Sequence, residues 1–174
     1  CYNTFTHVHE QRTLATPDTI AEWVSSLEGI EGVSFSGGEP FEQAKAVRTA
    51  ITAIRLQNPN LTFFAYSGFD LAVLEKSEDE DVIGLLNELD MISAGPYVHS
   101  KRQTNLLWRG SSNQKLHYLS DAYSELHEKV WSLTSPVEEF HLNGEVVHFT
   151  GFEGRRSSVL RTINKVLRPI YTED

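Results

Sequence analysis

The sequence predicts an α/β fold, a mostly parallel sheet flanked by helices, with a hairpin and a helix appended at its C-terminal end. Three observations predict it. Short apolar strands alternate with amphipathic helical stretches as far as Leu133, the pattern of a sheet whose strands are joined through helices. The turns Gly37-Gly38, Ser67-Gly68 and Gly95-Pro96 close three of those strands, in the manner of strand-breaking dipeptides. Past residue 138, two further strand-like segments flank Asn143-Gly144, the dipeptide that most strongly signals a two-residue hairpin.

Each element has its own signal. Thr16 and Pro17 read as the N-cap and first residue of a helix whose face is Ile20, Trp23, Val24 and Leu27 and which Gly29 closes. Val33-Ser34-Phe35-Ser36 alternates as a strand, and Pro40 opens a second helix with Val47, Ile51 and Ile54 on one stripe, ending at Asn58-Pro59. Leu61 to Tyr66 is a continuous apolar run, as in a strand covered on both faces, before Asp70 caps another helix. The acidic run Glu78 to Asp81 leads into a helical face of Val82, Ile83, Leu85, Leu86 and Leu89, and Met91-Ile92 forms the next short strand.

Residues 97–114 read as loop and Leu116 to Leu119 as a strand, after which Ser120 caps a helix with Tyr123, Leu126, Val130 and Leu133 on one face. The tail predicts strands at Glu139 to Leu142 and Glu145 to Phe149, then a helix from about Ser157 to Leu167 that Pro169 stops. The expected organisation is one domain, with a core over residues 1–119 and an extension of that same domain over 120–174.

Composition narrows the function. With 174 residues the chain suits one domain, and 15 basic against 24 acidic residues give a net charge of −9, which repels phosphate backbones and argues against nucleic acid. No apolar run approaches the roughly 20 residues that span a bilayer, and the start lacks the layout of a signal peptide, so a cytoplasmic protein without a membrane partner is expected. The one cysteine, Cys1, forms no internal disulfide, which suits a reducing compartment. The chain begins without Met, so Cys1 is expected to be an internal position of a longer protein.

Ser36-Gly37-Gly38-Glu39-Pro40 follows a strand, at the carboxyl end where parallel α/β sheets bind ligands. The glycines let a ligand approach the backbone, and Glu39 can pair with an ammonium group; the same residues also read as an ordinary tight turn. His7 and His9 lie on one side of any extended segment, yet two histidines without further ligands are usually surface residues. No nucleophile, base and acid set and no phosphate loop is legible.

Taken in order, Cys1-Tyr2-Asn3, Ser36-Gly37-Gly38-Glu39-Pro40, Tyr66-Ser67-Gly68-Phe69 and Leu107-Trp108-Arg109-Gly110-Ser111-Ser112-Asn113-Gln114-Lys115 form a colinear series over residues 1 to about 119. The series resembles the radical S-adenosylmethionine activating proteins, most closely the small activases of anaerobic ribonucleoside-triphosphate reductase and related 4Fe-4S single-cluster proteins. That resemblance implies a partial parallel (βα) barrel of the radical SAM type. It also implies a 4Fe-4S cluster on a C-x3-C-x2-C loop, of which Cys1 looks like the third cysteine; the first two, and the strand leading into the loop, lie outside this sequence. As given, Cys1 alone cannot hold a cluster, and the chain in this form is inactive on that reading.

By resemblance, Gly37, Gly38 and Glu39 hold the methionine amino group of S-adenosylmethionine, Ser67 lies beside the cofactor, and Arg109 and Asn113 are candidate cofactor or partner contacts, against a structural-loop reading of the same segment. The implied activity is that of an oxidoreductase that forms a glycyl radical on the large subunit of a glycyl-radical enzyme, with an electron-donor protein as second partner. Two rival readings stay open: a radical enzyme acting on a small molecule, and a degenerate binding module without a cluster. The second is favoured by Ala94, where relatives often place an acid before the glycine.

Overall fold

Helix α1 (Pro17–Ser25) starts where the Thr16 side chain accepts the Thr19 N–H at 3.2 Å, an N-cap that satisfies one of the helix's orphan donors. In a computed structural model of the chain, which describes residues 14–103, 106–134, 138–143 and 146–151, this helix is followed by β1 (Gly32–Phe35), a 3-10 turn at Pro40–Gln43, α2 (Ala44–Gln57) and β2 (Thr62–Ser67). Next come α3 (Leu71–Leu74), α4 (Glu80–Glu88), β3 (Met91–Ala94), a 3-10 turn at His99–Lys101, β4 (Lys115–Tyr118) and α5 (Glu125–Thr134). The strands β5 (Glu138–Asn143) and β6 (Val146–Gly151) complete the series.

The chain divides into two compact units, Cys1–Lys129 and Val130–Asp174. In the first, four strands form a sheet in the order β1-β2-β3-β4, with β1, β2 and β3 parallel and β4 antiparallel to β3. The expected α/β sheet is thus present and mostly parallel. In the second, β5 and β6 pair antiparallel with Asn143 opposite Val146. Asn143 therefore belongs to the ladder and not to the turn, one residue away from the expected register. The helix expected over Ser157 to Leu167 lies outside the described residues.

One face of the sheet carries the core. Phe63 and Ala65 of β2 and Ile92 and Ala94 of β3 pack with Val24 of α1, Val47, Ile51 and Ile54 of α2, and Leu85 of α4. The period-two alternation of a strand sends their neighbours to the other face. There Phe64 meets the Trp108 ring at 5.9 Å and Ser93 Oγ donates to the Trp108 carbonyl at 2.7 Å. The loop before β4 is therefore packed on the sheet.

Pro40 opens a 3-10 turn and not α2 itself, the Asp70 side chain makes no capping bond to α3, and two further helices depart from expectation. In α1 the buried residues are Ala21 and Val24, while Trp23 is 62% and Leu27 40% exposed. The helix stops at Ser25, four residues short of Gly29, and small Ala21, fully buried, joins the core where Trp23 was expected. Ser120 does not cap a helix: its Oγ accepts from Ala122 N–H and donates to Asp90 Oδ1, making a turn, and α5 begins later, where the Ser124 carbonyl accepts from His127. Tyr123 precedes the helix and its hydroxyl bonds Thr62 and Glu31 instead.

Candidate functional site

Because β1, β2 and β3 are parallel, their carboxyl ends lie side by side: Phe35 pairs with Ala65, and Ser67 with Ala94. The turns at 36–39, 68–70 and 95–96 consequently share one edge of the sheet. The loop 106–114 leads into the same edge, since Lys115 pairs with Ala94.

Gly37 has φ +110°, a conformation that L side chains rarely adopt, whereas Gly38 has an ordinary φ and a Cβ there would meet only Gln43 Nε2, at 3.9 Å. Only the first of the two glycines is demanded by the backbone. This turn delivers Glu39, whose Oε1 accepts from Phe41 N–H at 3.2 Å and from Ser67 Oγ at 2.9 Å and whose Oε2 accepts from Gly68 N–H at 2.7 Å. The carboxylate therefore caps its own 3-10 turn and bridges the ends of β1 and β2. A carboxylate offers about four lone-pair sites, so capacity remains for one more donor, such as a ligand ammonium.

Ser67 is only 4% exposed and spends its hydroxyl twice: it donates to Glu39 and accepts from Phe69 N–H at 3.1 Å. The structure thus brings Gly37, Gly38, Glu39 and Ser67 together. Gly95, at φ +120°, donates to the carbonyls of Phe69 at 2.9 Å and Ser67 at 3.2 Å. An added Cβ there would sit 3.4 Å from Asp70 Oδ1, which places a second carboxylate at the edge. Ala94 is 3% exposed and packed in the core.

The loop that follows is tied down by its own polar residues. Gln114 Oε1 accepts from Gly110 N–H at 2.8 Å and Ser111 N–H at 3.1 Å, while its Nε2 donates to the Gly95 carbonyl at 3.0 Å. Asn113 Nδ2 donates to the Pro96 carbonyl at 2.7 Å, and fully buried Ser111 accepts from Val98 N–H at 3.1 Å. Arg109 pairs with Glu128, which also accepts from the Tyr118 hydroxyl at 3.0 Å. Burial first, and then this bond to Glu128, pushes the Tyr118 pKa up to about 12. Arg109 is therefore engaged with α5, and Asn113 with the turn after β3.

Sequence reasoning missed Gln114 as a connector and Asp70 as a neighbour of Gly95. The signal was available for Gln114, since a single amide that both donates and accepts can join two loops. None was available for Asp70, whose proximity to residue 95 depends on strand pairing. Among the described residues, no group of three or more His, Cys, Asp or Glu is placed to hold a metal ion, and no helix is long and apolar enough to cross a membrane. Cys1, His7 and His9 lie outside the described residues.

Residues 1–117 match the family described as the 4Fe-4S single cluster domain. Among curated proteins, the chain is 31% identical over 88 residues to the anaerobic ribonucleoside-triphosphate reductase-activating protein of Vibrio cholerae, covering 49% of this chain and 54% of that protein. It is 30% identical over 91 residues to the protein of the same description in Escherichia coli K12, covering 51% and 56%. To the corresponding protein of Enterobacteria phage T4 it is 28% identical over 120 residues, covering 67% of this chain and 72% of the phage protein. The chain spans about half the length of the bacterial relatives it matches. No solved structure matches.

Proposed function

The chain belongs to the 4Fe-4S single cluster domain family, and from that premise we propose that it is the core of an activating enzyme that uses S-adenosylmethionine to form a glycyl radical on a partner such as an anaerobic ribonucleotide reductase. The relatives' descriptions supply the partner class. The observation that carries the cofactor reading is Glu39, a carboxylate fixed by three donors at the carboxyl edge of parallel strands.

The parallel strands β1 to β3, with β1 at the sheet edge among the described residues, support a partial barrel of the radical SAM type, with residues 120–174 as an extension of the core. In this reading Glu39 receives the cofactor's ammonium, Gly37 and Gly38 leave the backbone of their turn open to it, and Ser67 holds the Glu39 carboxylate in place. Cluster binding is a separate question of fit. This sequence contains one cysteine, Cys1, which supplies one thiolate of the three that the family's loop uses, so the other two must come from residues outside it. When bound, cluster and cofactor would supply a one-electron reductive cleavage to methionine and a 5′-deoxyadenosyl radical, which takes a hydrogen atom from the partner's glycine to give 5′-deoxyadenosine and the glycyl radical.

The chain's own residues do the positioning. The two oxygens of Glu39 are held by backbone and hydroxyl donors, which keeps the carboxylate oriented before a ligand arrives and spares reorganisation on binding. An electron-donor protein completes the system. The test is anaerobic reduction of the full-length protein with S-adenosylmethionine, followed by chromatography for 5′-deoxyadenosine. Stoichiometric or catalytic release is expected; none, with the cluster intact, overturns the reading.

A further inference from the structure

The hydrogen bonds around Gly95 join the loop before β4 to the carboxylate of Glu39. Gln114 Nε2 donates to the Gly95 carbonyl at 3.0 Å, and Gly95 N–H donates to the Phe69 and Ser67 carbonyls at 2.9 and 3.2 Å. Phe69 N–H donates to Ser67 Oγ, Ser67 Oγ to Glu39 Oε1, and Gly68 N–H to Glu39 Oε2. Every link is a direct contact, and the peptide joining Ser67 to Gly68 accepts from Gly95 N–H while donating to Glu39 Oε2, so those two bonds polarise one another.

We propose that Gln114 is a positioning residue for the ligand site: through Gly95 it holds the Ser67-Gly68-Phe69 turn, and that turn holds Glu39 at the angle in which it meets a ligand ammonium. The consequence for the ligand rests on the S-adenosylmethionine reading above; the coupling of Gln114 to the turn does not. Three features set Gln114 apart from its neighbours. Its amide is used at both ends, since the oxygen gathers Gly110 and Ser111 while the nitrogen reaches Gly95. Asn113 reaches the same turn one residue later, at Pro96, and so misses Gly95. Gly95 itself stands at φ +120° with the Gln114 Cα 3.4 Å from where a Cβ would be, so the loop and the turn are in contact at the residue that carries the link.

The two ends of the amide can be separated by substitution. Gln114→Glu keeps an oxygen for Gly110 and Ser111 but replaces the donor facing Gly95 with a second acceptor, whereas Gln114→Met keeps the length and loses both ends. Two readouts are made on the full chain. Amide hydrogen exchange at Gly95, Phe69 and Gly68, followed by NMR, reads the coupling without any ligand, and equilibrium dialysis of S-adenosylmethionine reads its consequence in the reconstituted full-length protein.

Gln114→Glu is expected to speed exchange at those three amides by about five-fold or more, the scale of one neutral hydrogen bond, while exchange in α2 stays as in the parent. S-adenosylmethionine affinity is expected to fall by a similar factor with iron content unchanged. If Gln114→Glu does not fold, Gln114→Met gives the same readouts. Parent-like exchange at Gly68, Phe69 and Gly95 in a folded variant overturns the proposal. Faster exchange there with no binding of S-adenosylmethionine by the parent upholds the coupling and overturns the cofactor reading instead.

Discussion

Removing the Ser67 hydroxyl isolates the bond on which the site geometry turns. In Ser67→Ala, Glu39 Oε1 keeps Phe41 N–H but loses its 2.9 Å hydroxyl partner, and Phe69 N–H loses its 3.1 Å acceptor. Ser67 is 4% exposed, so no water takes the place of the hydroxyl against the carboxylate. Hydrogen bonds to charged groups contribute about 1.5–3 kcal/mol. The Phe69 amide adds little, because that residue is 41% exposed and its N–H can be hydrated. A net loss of about 2 kcal/mol is expected, and at about 4 °C per kcal/mol for a unit of this size that is a fall in Tm of about 8 °C. Differential scanning calorimetry of parent and variant measures it. A Tm within about 2 °C of the parent would refute the claim that Ser67 holds Glu39.

Gly32→Ala places a Cβ 2.4 Å from the Thr62 backbone carbonyl and 2.3 Å from its hydroxyl; the first rung between β1 and β2 must open, and urea denaturation should show a loss of about 2 kcal/mol, within the range for overpacking. Glu39→Gln leaves an acceptor for Phe41 but removes the charge that meets an ammonium, and dialysis should show S-adenosylmethionine affinity reduced by about 10–100-fold, the scale of a charge-assisted bond. His117 has its pKa lowered, by burial first and then by Lys115, so the unfolded chain binds a proton that the folded one does not. Stability should therefore fall as pH drops through and below about 6.5, and the urea midpoint of His117→Gln should show a shallower slope there. Tyr118 and Tyr123 are pushed up to about 12, chiefly by burial. Each stays protonated in the fold after the unfolded chain has lost its proton, so stability should fall again from about pH 10 through 12, as circular dichroism would follow.

Which parts of this were legible in the sequence depends on the range of the interactions. Helix α2 was legible because Val47, Ile51 and Ile54 form one stripe, and all three are buried. The strand at β2 was legible because its apolar run is continuous; Phe63 and Ala65 face the helical core and Phe64 meets Trp108. In α1 the spacing of Ile20, Trp23, Val24 and Leu27 misled, because which side of an apolar helix is covered depends on how its neighbours pack, and here Ala21 is buried in the core while Trp23 is exposed. Ser120 misled for a related reason: a serine caps whichever N–H it can reach, and Asp90, just before β3, holds this one in a turn.

The site divides in the same way. Gly37, Gly38, Glu39 and Ser67 stand in two short motifs, each at the end of a strand, and parallel pairing brings them to one edge. What the motifs do not contain is the bonding between them. That Glu39 reaches Gly68 across 29 positions, and Gln114 reaches Gly95 across 19, follows from the register of β1, β2, β3 and β4. The Arg109 segment reads from sequence as either a ligand contact or a tied loop, and its bonds are those of a tied loop: Arg109 pairs with Glu128, and Asn113 with Pro96.

The central claim, that this carboxyl edge serves a cluster and S-adenosylmethionine together, is tested most directly by iron and sulfide analysis of the full-length protein prepared without oxygen. Electron paramagnetic resonance follows after reduction, with and without S-adenosylmethionine. About four irons per chain and a reduced-cluster signal that changes when the cofactor is added are predicted, since three thiolates leave one iron open to it. A protein without iron, or a cluster signal indifferent to S-adenosylmethionine, would contradict the account.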